Sequence, residues 1–245
     1  GLKLMEEYTA LKSVMDNPRR PGVFVLGGAK ISDAFGMMRK VLEDGAADLI
    51  LTAGVTGLVM HLARGVKVGA ATEKFLKDKA LDAFIPEAKE LLAAWGDKYV
   101  LPVDLAYEAG GSRREVAVAE LPTSYSDAVL FPDVGAGTVA LFAEKIAAAG
   151  SVFVNGPAGM YEDERWEAGT KGIWRAIADA PGYTVVGGGD TISAATKFTD
   201  LEKYSYICTG GGAMVRFLAG KRLPLIEAME KAFDRNLQQP IRTAP

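Results

Sequence analysis

The sequence predicts an α/β fold: a doubly wound, six-stranded parallel sheet flanked by helices, with a small hairpin set into it. Six short apolar or β-branched runs recur along the chain, helical patterns separate them, and four of the runs end in glycine-rich turns. Runs that are apolar throughout suit strands covered on both faces. Strands alternating with helices imply parallel crossover units.

The elements follow in order. Residues 1–18 form an amphipathic helix with Leu4, Tyr8, Leu11 and Met15 in line, ended by Asn17-Pro18. It is either a flanking helix or one cut from between two domains. The first strand is expected at 23–27, then a helix over 34–42 with Phe35, Met38, Val41 and Leu42 at helical spacing. A second strand at 48–52 precedes a helical stretch at 58–64. A helix over 80–95 carries the stripe Leu81, Phe84, Ala88, Leu91 and Leu92, and leads to a third strand at 99–103. Within 104–130, Gly110-Gly111 marks the turn of the hairpin. The remaining strands are expected at 151–155, 183–187 and 205–209, with helices over 139–149 and 170–180. The chain thus divides into a leading helix (1–18), one Rossmann-like α/β domain (19–234) and a polar, proline-bearing tail (235–245) expected to be mobile unless docked.

Composition narrows the chemistry. The 245 residues are 49% hydrophobic and 24% charged, the balance of an ordinary globular chain. A net charge of −3 argues against a nucleic-acid partner. An anion could still bind at a local site of backbone N–H groups and one or two lysines. Cys208 is the only cysteine, which excludes an intrachain disulfide or a cysteine-rich metal site. His61 is the only histidine, which excludes a poly-His zinc site and, unless His61 serves it, Ser-His-Asp chemistry. No apolar run reaches the roughly 18 residues that span a bilayer, and the acidic N-terminus is not a signal peptide. No membrane partner and a cytoplasmic location are therefore expected. His61 is expected at a surface or half-buried structural position, Cys208 as a small buried apolar group, and Trp95, Trp166 and Trp174 as packing anchors.

The glycine turns carry the functional signal: LGGAK at 26–30, VNGPAG at 154–159, VGGGDT at 186–191 and TGGGAM at 209–214. In an open parallel sheet such turns lie at the carboxyl edge, where ligands bind. The helix starts beyond them supply free N–H groups and positive dipole charge for phosphate. One such turn by itself needs no role beyond a tight bend; four on one edge point to a phosphate cradle. A P-loop is absent, because Gly220-Lys221 is followed by Arg222. A GxGxxA run at 135–140, with Glu162 near the offset of a ribose-binding acid, keeps an NAD-binding oxidoreductase open. Pro132 and Asp133 in its turn do not suit a tight strand-to-helix crossing.

Taken in order, RPGVFVLGGAKISD (20–33), LPVDLAYE (101–108), DVGAGT (133–138), NGPAGMYE (155–162), VVGGGDT (185–191) and TGGGAMVRFLAGKRLP (209–224) resemble phosphoglycerate kinases, with an archaeal style. The leading helix resembles that family's interdomain helix. The likeness spans nearly the whole chain but only the C-terminal, nucleotide-binding half of the family's usual two domains. It implies reversible phosphoryl transfer between 1,3-bisphosphoglycerate and ADP, in glycolysis or gluconeogenesis, with this chain supplying the Mg-ADP/Mg-ATP site. The missing partner would be an N-terminal phosphoglycerate-binding domain, for which Arg113 and Arg114 form no substitute. A monomer that binds nucleotide but transfers phosphate poorly by itself is expected. A nucleotide-responsive or assembly module without catalysis is the alternative.

The resemblance also implies roles. Lys30 would neutralise the phosphoryl group in flight, with Gly189 and Gly211 at the transfer point. Gly28 and Ala29 would flank the adenosine, Asn155 would sit by the phosphates and Glu162 would meet the ribose hydroxyls. Gly188, Gly189, Asp190 and Thr191 would hold the nucleotide phosphates, with Asp190 on Mg2+, and Gly210, Gly211 and Gly212 would present N–H groups. Phosphoryl transfer needs alignment and charge neutralisation more than covalent chemistry, and a hard oxygen ligand suits Mg2+. By residue type alone, Lys30 also reads as a surface lysine, Asp190 as a helix N-cap and Glu162 as a solvated loop acid. Ala34 stands where the family often has a second lysine. Thr52-Ala53-Gly54 replaces a glycine triplet and would narrow the adenine side, Met160 and Tyr161 replace smaller aliphatic and Phe residues, and Cys208 replaces a common Ser.

Overall fold

The computed structural model describes residues 2–237. The first half of the chain runs α1 (Leu2–Met15), β1 (Gly22–Leu26), α2 (Ile31–Glu43), β2 (Leu49–Thr52), α3 (Gly54–Ala63), α4 (Ala70–Asp78), α5 (Ile85–Trp95), β3 (Tyr99–Val100), β4 (Asp104–Ala109) and β5 (Ser112–Ala117). The second half runs β6 (Asp133–Val134), α6 (Ala136–Ala147), β7 (Ser151–Asn155), α7 (Ala168–Ala178), β8 (Tyr183–Gly187), α8 (Gly189–Phe198), β9 (Tyr206–Cys208), α9 (Gly212–Leu218) and α10 (Pro224–Leu237). The part of the expected tail at 238–245 lies outside the described residues.

The six expected strands form one sheet in the order β3-β2-β1-β7-β8-β9, with every pairing parallel. Side chains alternate across it, as strand geometry requires. Phe24 and Leu26 enter the core beneath α1, α2, α3, α5 and α9, while Val23 and Val25 enter the core against α6, α7 and α8. β7 divides in the same way, with Phe153 on the first face and Val152 and Val154 on the second. Being covered on both faces explains why these strands read as unbroken apolar runs. The chain reverses its winding between β1 and β7, so the crevice at their carboxyl ends is the topological switch point where such sheets bind ligands.

α1 packs onto the domain through Ala10, Leu11, Val14 and Met15, all buried, and Tyr8 meets the Phe217 ring edge-on at 5.4 Å. Near its middle, Glu7 Oε1 accepts from both the backbone N–H and the hydroxyl of Thr209, each at 2.7 Å. The leading helix is thereby tied to the turn after β9. Among the described residues no helix is long and apolar enough to cross a membrane.

Five local features differ from expectation. β3 ends after Val100, because Pro102 has no N–H for a further sheet bond. The helix expected over 80–95 starts as a short 3-10 turn at Asp82–Phe84, since Ala80 takes a φ of 55° that breaks the helix. α4 carries no long apolar stripe and was not anticipated. The hairpin is present, with β4 and β5 joined through Gly110 and Gly111 at φ 60° and 74°, and β6 pairs with the other edge of β4 as a third antiparallel strand. His61 is buried at 4% exposure, deeper than the surface or half-buried position expected, and burial pushes its imidazole down to about 4. Cys208 is buried, and Trp174 is fully enclosed.

The GxGxxA run folds as the start of α6, which follows β6 in the small sheet rather than a strand of the parallel one. Its amides already have partners. Asp104 accepts from Gly137 N and Thr138 N at 2.7 Å each and from the Thr138 hydroxyl, and Glu115 accepts from Ala136 N at 3.0 Å. Side chains of the protein take the place a dinucleotide phosphate would need. The Asp104 carboxylate is thus the cap of α6, and Asp104→Ala is expected to lower stability by about 2 kcal/mol. Thermal unfolding should show a midpoint about 4–8 °C lower; an unchanged midpoint would contradict the capping role.

Candidate functional site

At the switch point the turns after β1 and β7 are bonded to each other. Gly27 N donates to Asn155 O at 2.9 Å and Gly28 N to Pro157 O at 2.7 Å. Only glycine tolerates this approach. A side chain at Gly27 would strike the Pro157 carbonyl, one at Gly156 would strike the Gly27 carbonyl, and Gly156 has a φ of 86°. β8 is joined on by side chains. Asn155 Nδ2 donates to Gly187 O at 2.7 Å, Gly156 N donates to Thr191 Oγ1 at 2.7 Å, and Trp174 Nε1 donates to Thr191 O at 3.1 Å. Asn155 and Thr191 are therefore framework as well as lining, and Thr191 is buried at 1% exposure.

Two adjoining cavities open along this edge. One, of about 290 Å³, is mainly apolar: Val55 and Leu58 of α3, Phe75 of α4, and Leu130, Phe131 and Met160 form its walls. Gly28, Ala29 and Gly54 form its floor, and Glu162 and Asp190 are its acidic members. The other, of about 110 Å³, is lined by Lys30, Asp33, Asn155, Gly188, Gly189, Asp190, Thr191, Gly211 and Gly212. Gly28, Ala29, Pro157 and Asp190 belong to both. The first residues of α2 and α8 lie on this second cavity, so their free N–H groups and dipoles favour an anion there.

The charged groups converge. Lys30 Nζ lies 3.2 Å from Asp190 Oδ2, across 160 residues of sequence, and both side chains are largely exposed (76% and 62%). Asp190 sits in the first turn of α8, but Gly188 is the N-cap position and makes no side-chain cap, so the carboxylate reaches Lys30 instead of capping its own helix. Burial pushes the Tyr161 hydroxyl up, and the negative charges of Glu162 and Asp190 add to the shift, an independent sign that carboxylates gather here.

Most residues singled out from the sequence meet at these cavities. Gly210 is the exception: it lies outside both linings and packs toward the Glu7 carboxylate. Ala34 is buried in the core beneath α2, so no second cation stands beside Lys30 at that position. Ala53 points into the core on the α6–α8 side and does not narrow the apolar cavity, whereas Gly54, with a φ of 56°, lines it. Sequence reasoning missed Asp33 and the apolar walls other than Met160. Asp33 had a signal, three positions after Lys30 in the first turn of α2. Phe75, Leu130 and Phe131 had none, because loops and a helix far apart in sequence bring them together.

Behind the wall formed by Pro132 and Gly159 lies Asp133, whose side chain is wholly buried. Its Oδ2 accepts from Arg113 Nη1 at 2.8 Å and from Gly169 N at 2.9 Å, while Oδ1 has no partner. Burial outweighs the Gly169 N–H and the Arg113 charge and pushes the carboxyl up to about 6.

Known proteins resemble this chain in both sequence and fold. The phosphoglycerate kinase family model matches residues 1–221. A phosphoglycerate kinase of Methanopyrus kandleri is 39% identical over 229 residues, which are 94% of this chain and 55% of the relative. One of Methanothermus fervidus is 37% identical over 237 residues, 96% of this chain and 56% of the relative. The crystal structure of phosphoglycerate kinase from Pyrococcus horikoshii superposes with a TM-score of 0.89 at 32% identity, covering 96% of this chain and 57% of that one. The chain thus spans little more than half the length of the relatives it matches.

Asp133 yields a test of the wall it supports. Its folded pKa lies above the ordinary value of 3.8. Its contribution to stability is therefore fully present below about pH 4 and is lost as pH rises through about 6, a change of about 3 kcal/mol. Against Asp133→Asn, which stays neutral, the wild-type protein should lose relative stability between pH 4 and 6 in denaturant titrations. A difference that stays flat across that window would refute the assignment.

Proposed function

The chain belongs to the phosphoglycerate kinase family, and from that premise we propose that its two cavities bind magnesium-complexed ADP or ATP for phosphoryl transfer between 1,3-bisphosphoglycerate and ADP. One observation carries the reading: Lys30 and Asp190, distant in sequence, meet at 3.2 Å where a polar cavity adjoins an apolar one. A base suits the apolar walls. Glu162, which lines the same cavity, would meet the ribose hydroxyls. The phosphates would then run over the N–H groups of Gly188 and Gly189 toward Gly211 and Gly212.

In this reading Lys30 acts as a compact cation on the transferred group. The backbone amides hold the phosphate oxygens without reorganising, and the glycine turns let the main chain come close. Asp190 fits Mg2+ by its chemistry, a largely exposed hard oxygen donor. Among the described residues no group of three or more His, Cys, Asp or Glu could hold a metal ion by protein ligands alone. Asp190 is therefore suited to an ion that keeps water and phosphate oxygens of its own, and Mg2+ there would offset phosphate charge.

The phosphoglycerate site is assigned to the part of the family's length that this chain does not match. Arg113 does not supply it, since Asp133, Glu115 and two carbonyls already engage its guanidinium. Alignment of donor and acceptor then requires that second part. A role in glycolysis, a monomeric state and a cytoplasmic location belong to the same proposal.

Calorimetry with Mg-ADP should show one site. Lys30→Ala and Asp190→Ala should each weaken it about tenfold or more, the usual effect of removing a charged hydrogen-bond partner. No binding at millimolar Mg-ADP would overturn the reading.

A further inference from the structure

Three charged side chains line the polar cavity: Lys30, Asp33 and Asp190. One cation thus faces two carboxylates. Lys30 is engaged by one of them, at 3.2 Å, and Ala34, one turn further along α2, is buried and brings no charge. A metal-free diphosphate entering this cavity meets two negative groups and a lysine that is already paired. The Lys30–Asp190 pair is largely exposed on both sides (76% and 62%), so it is weak and free to change partners.

Resting on the nucleotide reading above, we propose that the Lys30–Asp190 ion pair is an exchange latch that makes the cavity select metal-complexed over metal-free nucleotide. Asp190 holds either the Lys30 ammonium or the divalent cation that accompanies the nucleotide. Exchange of one for the other frees Lys30 for the phosphate oxygens, so the same event that neutralises Asp190 releases the cradle's lysine. A bare diphosphate has no cation to offer Asp190. It must break the pair unaided while both carboxylates repel it. The latch gives Asp190 two opposed effects: it favours the metal complex and opposes the free anion.

Opposed effects give a test of sign. ADP is titrated by calorimetry in EDTA and in excess Mg2+, using the wild-type chain, Asp190→Asn, Lys30→Ala and the double variant. Both side chains are exposed, so neither substitution removes core packing, and circular dichroism checks each fold. The wild type should prefer Mg-ADP. Asp190→Asn should bind metal-free ADP about three- to tenfold more tightly than wild type while binding Mg-ADP more weakly, so that the preference collapses. Measured against Lys30→Ala, the gain should be clearly smaller in the double variant, because relief of carboxylate repulsion remains but there is no lysine to release. Equal or weaker binding of metal-free ADP by Asp190→Asn overturns the latch and leaves the nucleotide site standing. A gain that is undiminished without Lys30 also overturns it, reducing the effect to simple charge removal. A wild type that binds neither form overturns the nucleotide reading, and the latch with it.

Discussion

The turns after β1 and β7 are hydrogen-bonded main chain to main chain, Gly27 to Asn155 and Gly28 to Pro157, and the site is built outward from that contact. The two strands are neighbours only because the sheet reverses its winding between them. Without side chains at Gly27 and Gly156 the turns close to bonding distance. Asn155 and Thr191 then extend the contact to β8, and Lys30 and Asp190 face each other as a consequence. A bulkier turn on either strand would separate these groups before any ligand arrived.

The site divides its work between two kinds of surface. Side chains from α3, α4 and the 130–132 loop supply apolar walls, while backbone amides and a few charges supply the polar floor. This division suits a ligand with an aromatic end and a polyanionic end. It also keeps the charged groups exposed. Lys30 and Asp190 stay largely in solvent, unlike the wholly buried Asp133, and so remain free to exchange partners. Asp133 serves instead as a support behind the wall, holding Arg113 and the start of α7.

The two glycine signatures of the sequence meet opposite fates for a local reason. The turns at 26–30 and 186–191 end strands of the parallel sheet and leave helix-start amides facing a cavity. The run at 135–140 starts a helix whose amides Asp104 and Glu115 already occupy. Residue types alone do not separate the two cases; the supply of competing acceptors does, and those come from β4 and β5.

By itself the sequence determined the fold class, the six parallel strands, the hairpin turn and the glycine-edged location of the site. Each of these follows from local pattern: apolar runs covered on both faces, helical spacing between them, and glycine where the backbone must bend or close up. The resemblance carried by those turns also marked Lys30, Glu162 and Asp190. The tertiary structure decided what depends on distant partners: the apolar walls at Phe75, Leu130 and Phe131, the place of Gly210 beside Glu7, the burial of His61, and the pairing of Lys30 with Asp190. No local pattern records these, since each is set by which residues the winding of the sheet brings face to face.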